Sequence, residues 1–159
     1  MLVRLLAGAA LVAFLWSVFR FAMGLRAAKA AREEERAAQA AQGRRVAAEL
    51  PLAEGVVLFL ESDDRFHWGA RTVDKRDLRG ARVFLNDAVL ASCARPGVAL
   101  PPAPAVAPED DEGGERWRVD LYTEDASLDV PCGRLREGVS RETAWRVYAA
   151  VRAVVERAA

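Results

Sequence analysis

Hydrophobic and polar positions divide the chain into segments of different period. Residues 5–25 (LLAGAALVAFLWSVFRFAMGL) are uncharged apart from Arg20 and mostly apolar. As a helix rising about 1.5 Å per residue they would span about 31 Å, the thickness of a bilayer's hydrocarbon core, so residues 1–25 are predicted to form a transmembrane anchor. Residues 26–54 begin with strong helix formers and carry Glu33, Glu34 and Glu35 beside Arg32 and Arg36. They show no broad apolar stripe, which predicts a solvated helical stalk and linker, its helix ended at or before Leu50 by Pro51.

From Gly55 the period becomes that of extended chain. GVVLFLE is a continuous apolar run of strand length, a turn at Ser62, Asp63 and Asp64 leads to Phe66, His67 and Trp68, and Thr72 and Val73 follow. Two further strands flank a turn at Asn86 and Asp87. Trp117, Val119 and Leu121 alternate with Arg118, Asp120 and Tyr122. A turn at Glu124 and Asp125 then returns the chain into Leu128, Val130 and Cys132, which predicts a hairpin. A C-terminal helix capped by Ser140 places Ala144, Val147, Tyr148, Val151, Val154 and Val155 on one face. The predicted class is α+β: residues 55–159 as a rolled antiparallel sheet or small barrel of six to seven strands, closed by the amphipathic helix. Residues 95–116 hold five of the seven prolines and an acidic run from Glu109 to Glu112, and are predicted to be a mobile loop.

RTVDKRDLRGARVFLND (71–87) and WRVDLYTEDASLDV (117–130), with the order of hairpins and the final helix, resemble the bacterial pleckstrin-homology-like domains. The likeness covers residues 55–156 and rests on element order; the Pro-rich loop departs from a compact version of that fold. It implies a module for binding or assembly that is often tethered to a membrane.

The net charge of zero hides an asymmetry. Residues 1–50 carry eight basic and four acidic side chains, and residues 51–159 carry fifteen and nineteen. An acidic domain repels phosphate backbones, so no nucleic-acid partner is expected. Basic residues follow the apolar run (Arg20, Arg26, Lys29, Arg32) where a cleaved signal peptide would be small and neutral, which favours an uncleaved anchor. Against Arg4 on the other side, the same charges place the C-terminal domain in the cytoplasm of a single-pass inner-membrane protein.

Candidate chemistry is sparse. His67 is the only histidine, and with Cys93 or Cys132 it would make the one available thiol–imidazole pair. Strand parity turns His67 toward the wetter face and Cys132 toward the core. Asp120 and Asp129 fall at outward, solvated positions. No glycine-rich phosphate loop, serine elbow or closely spaced metal-ligand pair is present, so neither catalytic residues, metal nor cofactor is expected. Binding candidates are Arg71, Lys75, Arg76 and Arg79, partly cancelled by the interleaved Asp74 and Asp77. The leading expectation is a non-enzymatic, membrane-anchored interaction or scaffold domain that binds another membrane or envelope protein. A second is peripheral recognition of anionic lipid through those four cations, and a third is thiol-dependent catalysis.

Overall fold

The computed structural model describes the backbone of residues 2–52, 55–103, 115–133 and 137–157, and their side chains except at 2–13, 28 and 137. The chain divides into two compact units, Met1–Gln42 and Gly43–Ala159.

The first unit is one helix, α1 (Leu2–Ala41), unbroken between the apolar run and the Ala- and Glu-rich segment. Phe14, Leu15, Trp16, Val18, Phe19, Phe21, Met23 and Leu25 are all exposed. At about 100° per residue these positions cover about 220° of the helix circumference, and Ser17, Arg20 and Gly24 fall in the remaining sector. Among the described residues no helix is long and apolar enough to cross a membrane. The side chains of 5–13, the first part of the expected span, lie outside the described residues.

The expected stalk is too long. The helix stops at Ala41, Gly43 follows at a φ of 71°, and the backbone becomes β1 (Arg45–Leu52), which pairs antiparallel with β2 (Gly55–Glu61). RVAAELPL has helix-forming composition, but the β2 backbone beside it and the burial of Ala48 and Leu50 outweigh that weak preference. Pro51 therefore lies inside an edge strand, where its missing N–H costs no ladder bond.

β3 (Arg65–Trp68) and β4 (Arg71–Asp74) complete a first sheet of order β1-β2-β3-β4. The second sheet contains β5 (Gly80–Leu85), β6 (Ala88–Ala94), β7 (Trp117–Tyr122) and β8 (Ser127–Gly133) in the order β6-β5-β7-β8. Eight strands in two four-stranded antiparallel sheets replace the rolled sheet or barrel of six to seven strands, and neither sheet closes. The chain does not proceed by consecutive hairpins: β7 returns to pair with β5, which leaves β6 at the edge of its sheet, with no further strand beside it among the described residues.

α2 (Glu137–Arg157) packs against β1 and all four strands of the second sheet. Ser140 is not its cap but lies inside the first turn, buried. Ala144, Val147, Val151 and Val155 join Leu50, Phe59, Phe66, Leu78, Val83, Val119 and Val130 in one core drawn from both sheets and the helix. Phe59 lies between Phe66 and Trp68, with ring centroids 5.3 and 5.7 Å away. Each fully buried Phe, Leu or Val contributes roughly 1.5–3 kcal/mol, so this cluster dominates the stability of the unit. The Pro-rich segment enters as irregular chain at 95–103 and leaves at 115–116; its middle, 104–114, lies outside the described residues.

Candidate functional site

The four cations singled out by sequence do not form one patch. Arg71 opens β4 and reaches β8, its Nη1 lying 2.7 Å from Asp129 Oδ1 and 3.0 Å from the Asp129 carbonyl. Arg79 donates to Glu124 Oε2 at 2.6 Å and lines a separate cleft beside residues 98–101. Lys75 and Arg76, in the turn after β4, do come together, in an open cleft of about 620 Å³.

That cleft assembles residues from distant parts of the unit. β1 contributes Arg45, β2 ends on Glu61, the segment after β6 brings Arg95, and the last turn of α2 brings Arg157. Glu61 organises one wall: Arg45 Nη2 donates to one carboxylate oxygen and Lys75 Nζ to the other, at 2.9 Å. Burial tends to raise the Glu61 pKa, but hydrogen bonds and charge from Lys75 and Arg45 outweigh it and hold the carboxyl below its usual range. Lys75 also donates to the Ser62 carbonyl at 2.6 Å and sits 5.1 Å from the centre of the Phe66 ring, so it is fixed rather than free. Arg95 donates through Nη2 to the Lys75 carbonyl at 2.9 Å, while its Nε is buried without a hydrogen-bond partner. Arg76 and Arg157 are exposed, and neither has a carboxylate within salt-bridge distance among the described residues. Arg45, Glu61, Arg95 and Arg157 were not singled out by sequence, because no spacing links four separate elements.

Next to the cleft, Ser62 Oγ lies 3.3 Å from His67 Nε2, and His67 Nδ1 lies 3.1 Å from Thr72 Oγ1. The chain of contacts has the form of a nucleophile, a base and an orienting group. Ser62 Oγ, however, also accepts from the Arg65 N–H at 3.2 Å and contacts Asp64 Oδ1 at 3.1 Å, bonds that fasten the β2–β3 turn. Burial, then the charges of Arg44 and Arg65, lower the His67 pKa from its ordinary value. With both ring nitrogens engaged on hydroxyls, His67 has none left for a thiol. The signal for this triplet was register: His67 faces Thr72 directly across β3 and β4.

Both cysteines are free. Burial pushes the Cys132 thiol up to about 12, with a backbone hydrogen bond opposing, and the thiol donates to the Val130 carbonyl at 3.4 Å. Cys93, half-buried on β6 beside Tyr148, is also raised, mainly by burial. A nucleophilic thiolate needs the opposite shift.

Asp120 departs from the solvated position expected for it. It does face away from the core, yet it is only 9 % exposed, beneath Arg118 and opposite Arg82 across the sheet. Burial, with Asp129 and Asp87 adding to it and Arg118 opposing, raises its pKa. Arg118 stands 4.4 Å from the centre of the Phe84 ring and also holds Asp87, so the outer face of the second sheet carries a cross-linked ionic layer. Beside it, β6 offers seven uncharged residues (AVLASCA) at the open edge, with Val89 and Leu90 exposed. Among the described residues, no group of three His, Cys, Asp or Glu is placed to hold a metal ion.

The chain matches no family model, no curated protein and no solved structure.

Proposed function

We propose that the protein is a membrane-tethered, non-catalytic interaction module, with α1 as the tether and the unit Gly43–Ala159 as the part that meets another membrane or envelope protein. The observation that carries this reading is the broad band of large apolar side chains from Phe14 to Leu25, exposed over most of the circumference of α1. So broad an exposed apolar band is stable where lipid or protein covers it, and residues 5–13 continue the apolar sequence toward the N-terminus. Basic residues after the run favour a cytoplasmic position for the second unit.

The open β6 edge is the surface best suited to the protein partner. Edge strands usually carry a charge, a proline or a cover that prevents strand addition, and AVLASCA contains neither charge nor proline. Added strands gain main-chain hydrogen bonds there, while Val89 and Leu90 offer apolar contacts. The geometry gives less support to lipid recognition by residues 71–79, because Arg71 and Arg79 are each paired with a carboxylate and lie outside the cleft that Lys75 and Arg76 share.

Site-specific photo-crosslinking in native membranes tests the interaction. A crosslinker at Val89 of the full chain is expected to give one discrete protein adduct, and one at Arg141 on α2 none. Absence of adducts from Val89, with the chain folded and present, would remove the interaction reading.

A further inference from the structure

The cleft bounded by Arg45, Lys75, Arg76, Arg95 and Arg157 has a charge opposite to that of the unit around it. Gly43–Ala159 contains 17 basic and 20 acidic residues, a net charge of −3. The cleft gathers five cations against Glu61 and Asp63, a local excess of three positive charges. A recess with a net excess of one sign of charge concentrates counter-ions, and here it does so against the background of the whole unit.

Division of labour within the cleft is equally informative. Glu61 is consumed internally, clamping Arg45 and Lys75 to the wall. Arg76, Arg95 and Arg157 have no carboxylate partner among the described residues; elsewhere in the unit Arg82 and Arg141 also lack one, whereas Arg65, Arg71, Arg79, Arg118, Arg146 and Arg152 have one. Arg95 is held to the wall by its Nη2 bond to the Lys75 carbonyl, and its buried Nε has no hydrogen-bond partner among the described residues. Planar, forked guanidinium groups suit the many acceptor oxygens of a tetrahedral phosphate, two of which can accept paired N–H bonds from one arginine. Val154 is the one apolar side chain of the lining, and no aromatic ring is present to stack on a base or hold a sugar. Recognition is therefore of charge and oxygen geometry. A volume of about 620 Å³ is ample for more than one phosphate group.

We propose that this cleft, between the β2–β3 turn, the turn after β4, Arg95 and the last turn of α2, binds a multiply charged phosphate group. The proposal goes beyond the tethered-module reading and does not depend on it. A lipid headgroup and a soluble phosphate compound present the same chemistry.

Full-length protein in neutral detergent, titrated with pyrophosphate at constant ionic strength and followed by calorimetry, tests it. Saturable binding is expected, weakened about tenfold or more by Arg76→Ala with Arg157→Ala, two exposed positions whose loss leaves the core intact. Arg141→Ala with Arg146→Ala, on α2 outside the cleft, is expected to leave the affinity unchanged. Displacement of pyrophosphate by micelles doped with phosphatidic acid, but not with phosphatidylcholine, would support the proposal with a headgroup as ligand. Retention of pyrophosphate in both would support it with a soluble ligand. No binding, or binding that both double variants weaken equally, overturns the proposal.

Discussion

Lys75 Nζ stands 2.9 Å from Glu61 Oε1, with side chains only 14 % and 11 % exposed. Their pairing ties the end of β2 to the turn after β4 across the β3–β4 hairpin, and it sets the wall of the cationic cleft. Glu61 shares its other oxygen with Arg45, so one carboxylate serves two cations of that wall.

Glu61→Gln is expected to destabilise the unit by about 1–2 kcal/mol, because it removes the carboxylate that Lys75 and Arg45 share on the wall of an open cleft. The pH dependence has a definite sign. The folded Glu61 pKa lies below the ordinary 4.5, so its stabilisation is fully present above pH 4.5 and is lost as pH falls through the depressed value. Urea melts at pH 7 and pH 3 are expected to show a wide gap between wild type and Glu61→Gln at the higher pH and a smaller one at the lower. An equal gap at both would place the effect elsewhere.

Asp120 should behave in the opposite way. Its folded pKa is raised above 3.8, so ionisation costs stability at neutral pH, and that cost fades as pH falls through the folded value toward 3.8. Asp120→Asn is expected to raise stability at pH 7 by about 1 kcal/mol and to have little effect near pH 3.8. Arg118 keeps Asp87 as partner, so no buried cation is stranded. A less stable Asn variant at pH 7 would mean that the Arg118 pair outweighs burial.

Gly133, where β8 ends beside β1, holds φ at 100°, and an added Cβ would meet the Pro51 carbonyl at 2.6 Å and Ser140 Oγ at 3.1 Å. Gly133→Ala combines backbone strain with a clash against main chain and should cost roughly 2–4 kcal/mol. Gly138→Ala on α2, where nothing lies within 4 Å, should be neutral or mildly stabilising. Thermal melts of the two variants give the comparison directly.

Strands with a clear period were legible in the sequence. The β7–β8 hairpin follows its alternation, Val119 opposite Val130 and Asp120 opposite Asp129. The Asn86–Asp87 turn takes the two positive φ values, 45° and 64°, that those residue types tolerate. β1 was not legible, since Ala48, Glu49 and Leu50 favour helix locally and only the partner strand and the core make them extended. The order β6-β5-β7-β8 was equally hidden, because which neighbour β7 chooses is a matter of long-range packing rather than of period. Of the candidate site, Lys75 and Arg76 were visible as local charge. Arg45, Arg95 and Arg157 belong to other elements, and folding alone brings them together.

Thiol accessibility separates the interaction reading from thiol chemistry. Cys132, buried with its pKa pushed up to about 12, is expected to resist an aromatic disulfide reagent at pH 7.5 until the protein unfolds. Cys93, half-buried and also raised, should react slowly. Rapid labelling of either thiol in folded protein would contradict the non-catalytic assignment.

Alkaline carbonate extraction of membranes from cells expressing the full chain tests the tether most directly. Wild type is expected in the pellet, released only by detergent, whereas Leu15→Glu with Phe19→Glu, two charges in the apolar band at about 3 kcal/mol or less each, shifts it toward the supernatant. Wild-type protein in the supernatant would contradict the account.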